Sequence, residues 1–323
     1  MAFRLKLVPD NTKIDFFKNQ ALTFGFAILS MVASVIIVAI MGLNFGIDFR
    51  GGTTIRAETT TEIDLGEYRS ALEALDLGDV VITEVYDPSF RADQHVAQIR
   101  IQAQDDSESV TPEMIAQVEA ELEKVDPAVN FTSVESVGPK VSGELIQSAV
   151  LSVLAAAAGI GIYIWMRFEW QFSLGTVLAS LHDVIVTVGL FSLFQIKFDL
   201  TTVAALLTIM GYSVNDTVVV FDRLRENLQK YKTTPLRDLM NLSLNETLGR
   251  TVMVVATMLL SLIALLIFGG DVLRGFVAAI TFGVVLGTYS SIYMAKNFVL
   301  WLGVNREPKE KKKAGTTFAD IDA

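Results

Sequence analysis

No cysteine occurs in the 323 residues, which excludes a disulfide framework and any cysteine-based zinc or redox site. The G-x-x-x-x-G-K-[ST] spacing is missing too, so the glycine pair of "GIDFRGG" (46–52) reads as a backbone turn in preference to a phosphate loop. No G-x-S-x-G elbow is present, and no two aspartates stand in a protease-like setting. His182 is the only histidine inside an apolar run. A Ser/His dyad there is conceivable, but an intramembrane hydrolase needs a nucleophile and base on facing helices, and nothing in the sequence pairs them. These gaps point to a non-enzyme with no metal site and no organic cofactor.

What is abundant is apolar. Hydrophobic residues make up 51% of the chain and the mean hydropathy is +0.46, more than one water-soluble core needs. A bilayer core takes roughly 20 apolar residues per spanning helix. Six segments qualify: 21–43, 144–166, 172–194, 201–221, 250–268 and 276–302. The first follows Arg4, Lys6, Lys13 and Lys18 and is longer than a cleaved signal core, so it reads as a retained anchor. Lysine and arginine resist translocation, which orients the spans. Arg167, Arg223, Arg225, Lys230, Lys232, Arg237, Arg250 and the tail "REPKEKKK" (306–313) all fall on the side of the N-terminus. The short loops opposite hold only Lys197 and Arg274. Residues 1–20 and 303–323 are therefore expected in the cytoplasm. The basic tail reads as solvated charge beside the lipid bilayer, not as a nucleic-acid site.

Charge also sets one domain apart. The stretch from Asp48 to Glu144 carries 21 acidic and 7 basic residues, net −14, whereas the rest is net +4. Within this outward segment, 44–143, "TTIRAE" (53–58), "VVITEVY" (80–86), "HVAQIRIQA" (95–103) and "VNFTSVES" (129–136) read as strands. "LGEYRSALEAL" (65–75) has helical spacing, and "TPEMIAQVEAELEKV" opens on Thr111 as N-cap with Pro112 at the first helical position. The order β-α-β-β-α-β predicts a small ferredoxin-like α+β domain between the first and second of six transmembrane helices. Gly51 and Gly52 are expected to turn the chain from helix into the first strand, with Asp48 and Arg50 in local contact at that hinge. Lys296, near the inner end of the last span, is expected to snorkel.

Ionisable groups inside a span cost on the order of 2.5–3.5 kcal/mol on insertion scales, so those retained usually face a protein interior or a water path. Asp216 is one, in "GYSVNDTVVVFDRLREN" (211–227). Six residues before Asp222, it lies about 9 Å inside the cytoplasmic end. Ile209, Tyr212, Asp216, Val219, Val220 and Arg223 share a helix face. Ser213, Asn215 and Thr217 flank Asp216 and are expected to hydrogen-bond to it, and Arg250 opens the fifth span at a matching depth. Burial and a nearby cation act on such a carboxylate in opposite senses. A proton site and a static ion pair both remain open on these grounds. For His182 and Asp183, in the middle of the third span, the preferred reading is structural, with Asp183 in a polar interhelical contact and His182 packed neutral.

"FGIDFRGGT" (45–53), "HDV" (182–184), "GYSVNDTVVVFDRLREN", "LNETLGRT" (244–251) and "GTYSSIYMAK" (287–296), in this order and spacing, resemble the SecF family of membrane subunits of the bacterial Sec protein-export machinery, within the resistance-nodulation-division superfamily. The resemblance covers about residues 15–302. It implies partnership with SecD and the SecYEG channel, a preprotein substrate, the inner membrane, and use of protons in place of a cofactor. It also implies that Asp216 and Arg250 form a proton pathway. A small-solute efflux half of the same superfamily is the rival, but such pumps usually carry two six-helix halves with large outer domains in one chain.

Overall fold

The computed structural model describes residues 8–9, 12–75, 77–87, 90–91, 93–102 and 110–304. The basic tail, Arg4 and Lys6 lie outside the described residues, as does Ala103 at the end of the expected third strand.

A first long helix, α1 (Gln20–Met41), ends at Gly42 and leads through a short linker and one helical turn, α2 (Ile47–Arg50), into the sheet domain expected to face outward. The domain follows as β1 (Gly52–Thr59), α3 (Leu65–Glu73), β2 (Val80–Val85), β3 (His95–Gln102), α4 (Pro112–Val125) and β4 (Asn130–Val137). Its strands pair antiparallel throughout in the order β2-β3-β1-β4, the ferredoxin-like arrangement expected from the element order. Ile55 and Ala57 lie on one face of the central strand and pair across to Ile99 and Ala97. That face closes against Tyr68 and Leu72 of α3 and Val118 and Leu122 of α4, all buried in one core. Both helices start where their caps dictate. Asp64 accepts hydrogen bonds from the backbone N–H groups of Gly66 and Glu67, and Thr111 accepts one from Met114 ahead of Pro112.

Asp126, just past α4, is the polar keystone of this domain. It is buried, and its carboxylate accepts from Thr61 at 2.9 Å, from the Tyr68 hydroxyl at 3.0 Å and from the Ala128 N–H at 3.0 Å. Burial pushes its protonation upward, but the hydrogen bonds from Thr59, Ala128, Thr61 and Tyr68 outweigh that and hold the group below its ordinary value.

The bundle consists of α1, α5 (Pro139–Arg167), α6 (Trp170–Leu193), α7 (Leu200–Lys230), α8 (Leu236–Phe268) and a last span built from α9 (Gly270–Ser290), a π-helical turn (Ser291–Ala295) and α10 (Lys296–Leu302). Among the described residues, six helices are long and apolar enough to cross a membrane. The windows 144–166, 201–221 and 250–268 read from sequence lie inside longer helices, whereas 21–43 and 172–194 run one or two residues past the ends of α1 and α6. With 31 and 33 residues, α7 and α8 run about 46–50 Å, well beyond a ~30 Å hydrocarbon core. Charged residues end an apolar run without ending a helix: α8 begins at Leu236, where Leu239, Met240, Ser243, Leu244 and Thr247 already form a buried face.

The inner layer is α6 and α7, whose buried faces include Ala179, Asp183, Val186, Ile209, Met210 and Ser213. By contrast α1, α5 and α8 turn large apolar side chains outward, among them Ile40, Trp165, Leu260 and Phe268, as lipid-facing helices do. Small residues let the backbones approach: a Cβ on Gly189 of α6 would collide with the backbone and side chain of Ser34 on α1.

The outer domain is bolted to the bundle at the linker. Phe198 N–H donates to Asn44 O and Gly46 N–H donates to Phe198 O, each at 2.8 Å. Phe45, Phe49, Phe191 and Phe198 form an aromatic cluster around this bridge. Asp48 does not contact Arg50 as expected. Its Oδ2 accepts the Leu200 N–H at 3.0 Å, because the free N–H groups at the start of α7 offer a carboxylate a better partner. Gly51 and Gly52 then turn the chain with φ of 74° and 120°. A Cβ on Gly51 would also stand 3.3 Å from the Pro139 backbone, where α5 begins.

Candidate functional site

Asp216 sits just past the middle of α7 and is 7% exposed. Its Oδ2 is buried and meets no hydrogen-bond partner within the protein, and the same holds for the Tyr212 hydroxyl one helical turn earlier. Two orphaned polar atoms on one helix face are unusual, since buried polar groups are overwhelmingly paired. Arg250 on α8 is exposed and near enough for its charge to act on Asp216. No ion pair within 4.0 Å joins them among the described residues. The carboxylate is therefore neither hydrogen-bonded at Oδ2 nor locked to its candidate partner.

The residues flanking Asp216 do not support it as expected. Ser213 donates to Asp183 Oδ2 at 2.7 Å, Thr217 is 2.8 Å from Ser291 Oγ and donates to Ser213 O, and Asn215 is exposed on the outer side of α7. The reason is rotational: neighbouring positions on a helix point about 100° apart, so Ser213 faces α6, Thr217 faces the last span and Asn215 faces away from the bundle.

The second carboxylate has the opposite surroundings. Asp183 on α6 is wholly buried, and its Oδ2 accepts from both Ser213 and Ser290, the latter at 2.8 Å. Its Oδ1 lies 3.0 Å from His182 Nδ1, and His182 Nε2 lies 3.3 Å from Ser30 Oγ on α1. The nest joins α1, α6, α7 and the last span. The π-helical turn helps to build it: the widened backbone brings consecutive residues inward, Ser290 toward Asp183 and Ser291 toward Thr217 and the Ser213 carbonyl. Ser30, Ser290 and Ser291 were not singled out from sequence, and Tyr212 only as a residue sharing the helix face of Asp216. The available signal was a tyrosine four residues before Asp216 and adjacent serines inside a span.

The charged end of the same motif resolves into latches between helices. Asp222 accepts from Arg167 of α5 at 3.1 Å, and Arg223 donates to Glu246 of α8 at 2.8 Å. Asn227 reaches the same Glu246 and Ser243. These tie α7 to both neighbours just beyond Asp216.

Lys296 does not snorkel. It is fully buried, donates to Phe16 O at 2.8 Å and stands over the Phe17 ring at 4.2 Å and the Tyr293 ring at 4.9 Å. Asn241 and Asn245 of α8 hold the same N-terminal segment through the backbone of Phe16 and Ile14. The aromatic box and the carbonyl replace the water an ammonium would otherwise seek.

Comparison with known proteins places this arrangement. Residues 117–305 match the family described as "Protein export membrane protein SecD/SecF, C-terminal". Residues 36–63, spanning the end of α1, the linker and Gly51–Gly52, match "SecD/SecF GG Motif". Protein translocase subunit SecF of Cereibacter sphaeroides is 68% identical over all of both chains. That of Rhodobacter capsulatus is 64% identical over 98% of this chain and 97% of its own. Among more distant relatives, the SecF subunit of Rickettsia akari is 38% identical over 96% of this chain and 98% of its own. The solved structure of SecDF from Thermus thermophilus, described as a translocon-associated membrane protein, matches with a TM-score of 0.79 at 34% identity. The match covers 92% of this chain and 39% of that one, so this chain spans about two fifths of the SecDF polypeptide. A second SecDF structure, in a super-membrane-facing form, gives a TM-score of 0.66 at 35% identity over 90% of this chain and 39% of that one.

Proposed function

The chain belongs to the SecD/SecF family of protein-export membrane proteins, and from that premise we propose that it is a translocase subunit that works with SecD beside the SecYEG channel. In this reading the proton gradient across the bacterial inner membrane drives a late step of preprotein export. Both termini face the cytoplasm, and the ferredoxin-like domain faces the periplasm. Asp216 is the proton acceptor, and Arg250 is the cation that approaches or withdraws as the proton leaves or arrives. No covalent chemistry and no cofactor beyond protons are required.

The observation that carries this reading is the orphaned Oδ2 of Asp216 beside an unlocked Arg250. A carboxylate kept in the bundle without a hydrogen bond is poised to take up a proton, because neutralisation removes the cost of burying its charge. The consequence can reach the outer domain along α7, whose Leu200 N–H donates to Asp48 and whose start is bridged to the linker. A shift of α7 when Asp216 changes charge pulls on α2 and on the sheet domain that follows. Moved against the outer domain of SecD, it draws the emerging polypeptide outward.

The test is Asp216→Asn in the complex with SecD. Gradient-dependent export is expected to fall by about an order of magnitude or more, equivalent to at least ~1.4 kcal/mol of lost coupling, with insertion and SecD pairing unchanged. Full gradient-dependent export by the correctly assembled variant would contradict the reading.

A further inference from the structure

We propose that the His182–Asp183 pair holds one proton of its own, which shifts between the Asp183 carboxyl and the His182 ring in response to the charge of Asp216. This deepens the proton-coupled reading above and rests on it.

The argument begins with charge. The pair is buried at 1% and 0% exposure near the middle of α6, and His182 is the only cationic candidate within 4.0 Å of Asp183 among the described residues. A lone charge there is costly, so the pair is held net neutral by one proton. That proton has two places across the 3.0 Å contact. On Asp183 Oδ1 it donates to an unprotonated Nδ1, and both groups are neutral. Transferred to Nδ1 it leaves a carboxylate beside an imidazolium, with no proton gained or lost. The choice is set by hydrogen bonds, since donors to the carboxylate favour its charged form. Ser213 and Ser290 supply two such donors to Oδ2. On the other side of the ring, Nε2 meets Ser30, which itself donates to Ala27 O.

One of these donors belongs to the helix that carries Asp216. Ser213 lies three residues before it, almost one turn away, so displacement or rotation of α7 stretches the Ser213 bond to Asp183 while Ser290 stays on the last span. Ser213 is thus a positioning residue through which the state of Asp216 reaches the pair. Other ionisable groups on the packed elements leave the pair alone. On α1 there are none, and on α5 Lys140, Glu144, Tyr163 and Arg167 lie near the ends. Tyr212 on α7 and Tyr289, Tyr293 and Lys296 on the last span make no hydrogen bond or ion pair with His182 or Asp183. A purely structural contact needs no such gradation: an asparagine would accept the same hydroxyls without a proton to misplace.

The chain has two histidines, so His95→Asn leaves His182 as the sole ring without touching the bundle. With ¹⁵N-histidine, the full chain and SecD in lipid bilayers, solid-state NMR reads both ring nitrogens between about pH 5 and 8. As the charge of Asp216 changes across this range, the proton of the pair is expected to move between carboxyl and ring, and to stop moving in Asp216→Asn and in Ser213→Ala. A pH-invariant ring in the otherwise intact protein overturns the proposal, as does an identical switch in Asp216→Asn. The readout is independent of export: full export by Asp216→Asn would overturn the proposed function, whereas the ring signal decides only the relay.

Discussion

Two carboxylates are buried in one helix bundle and treated in opposite ways. Asp183 has two hydroxyl donors on one oxygen and an imidazole on the other. Asp216, almost one turn along α7 from the Ser213 of that nest, has a buried oxygen with no partner. The contrast separates two uses of a charge in a membrane. A satisfied carboxylate organises helices, because four elements meet at it, and an unsatisfied one stores sensitivity to its own protonation.

The largest effect expected from this contrast is on stability. Asp183→Ala strands His182, Ser213 and Ser290 in the bundle and should lower unfolding stability by about 3–5 kcal/mol, the range for breaking a buried pair. Asp216→Ala should cost less than about 1 kcal/mol or stabilise, because it removes an orphan. Thermal unfolding of the purified membrane protein compares the two, and equal losses would erase the distinction.

On function the order reverses. Arg250→Met, at an exposed position, should leave stability within about 0.5 kcal/mol and reduce gradient-driven export by about tenfold. Normal export would leave Arg250 with a structural part alone. Asp48→Ala extends the comparison to the link with the outer domain. Loss of this acceptor for the Leu200 N–H, with the Asp199 cap of α7 left in place, should cost about 1 kcal/mol and weaken export while proton entry persists. Export and proton entry falling together would show that the linker does not transmit the movement.

The smallest effect concerns the outer domain, which has its own satisfied carboxylate. Asp126 is held below its ordinary value in the folded domain, so its contribution is fully present above the unfolded value of about 3.9 and is lost as pH falls through the lower folded value. Hydrogen exchange in the sheet should therefore accelerate below about pH 4. In Tyr68→Phe, which loses one donor, the sheet should be less stable by about 1 kcal/mol and its acid response shallower. An unaltered acid response in that variant would remove the Tyr68 hydroxyl from the account.

Much of the architecture was legible because it is written in local pattern. Strand alternation and the Thr111–Pro112 start give the βαββαβ order without reference to distant residues, and uninterrupted apolar windows give the spans. Asp216 and Asp183 stood out for the same local reason, a carboxylate in an apolar run. What the pattern could not carry was direction across helices. Ser213 sits beside Asp216 in sequence yet bonds to a residue 30 positions away. Lys296 looked destined for the surface because its cage is built from Phe16 and Phe17, with Phe16 lying 280 positions upstream. Asp48 likewise found its partner 152 residues on, at Leu200. The π-helical turn had no sequence signature at all, and it is what brings Ser290 and Ser291 inward together.

The most direct measurement is proton entry itself. Reconstituted with SecD in liposomes holding a pH-sensitive dye, the protein is predicted to admit protons down an imposed gradient, and Asp216→Asn to abolish that entry while folding and pairing remain intact. Entry at an undiminished rate in Asp216→Asn would contradict the central claim.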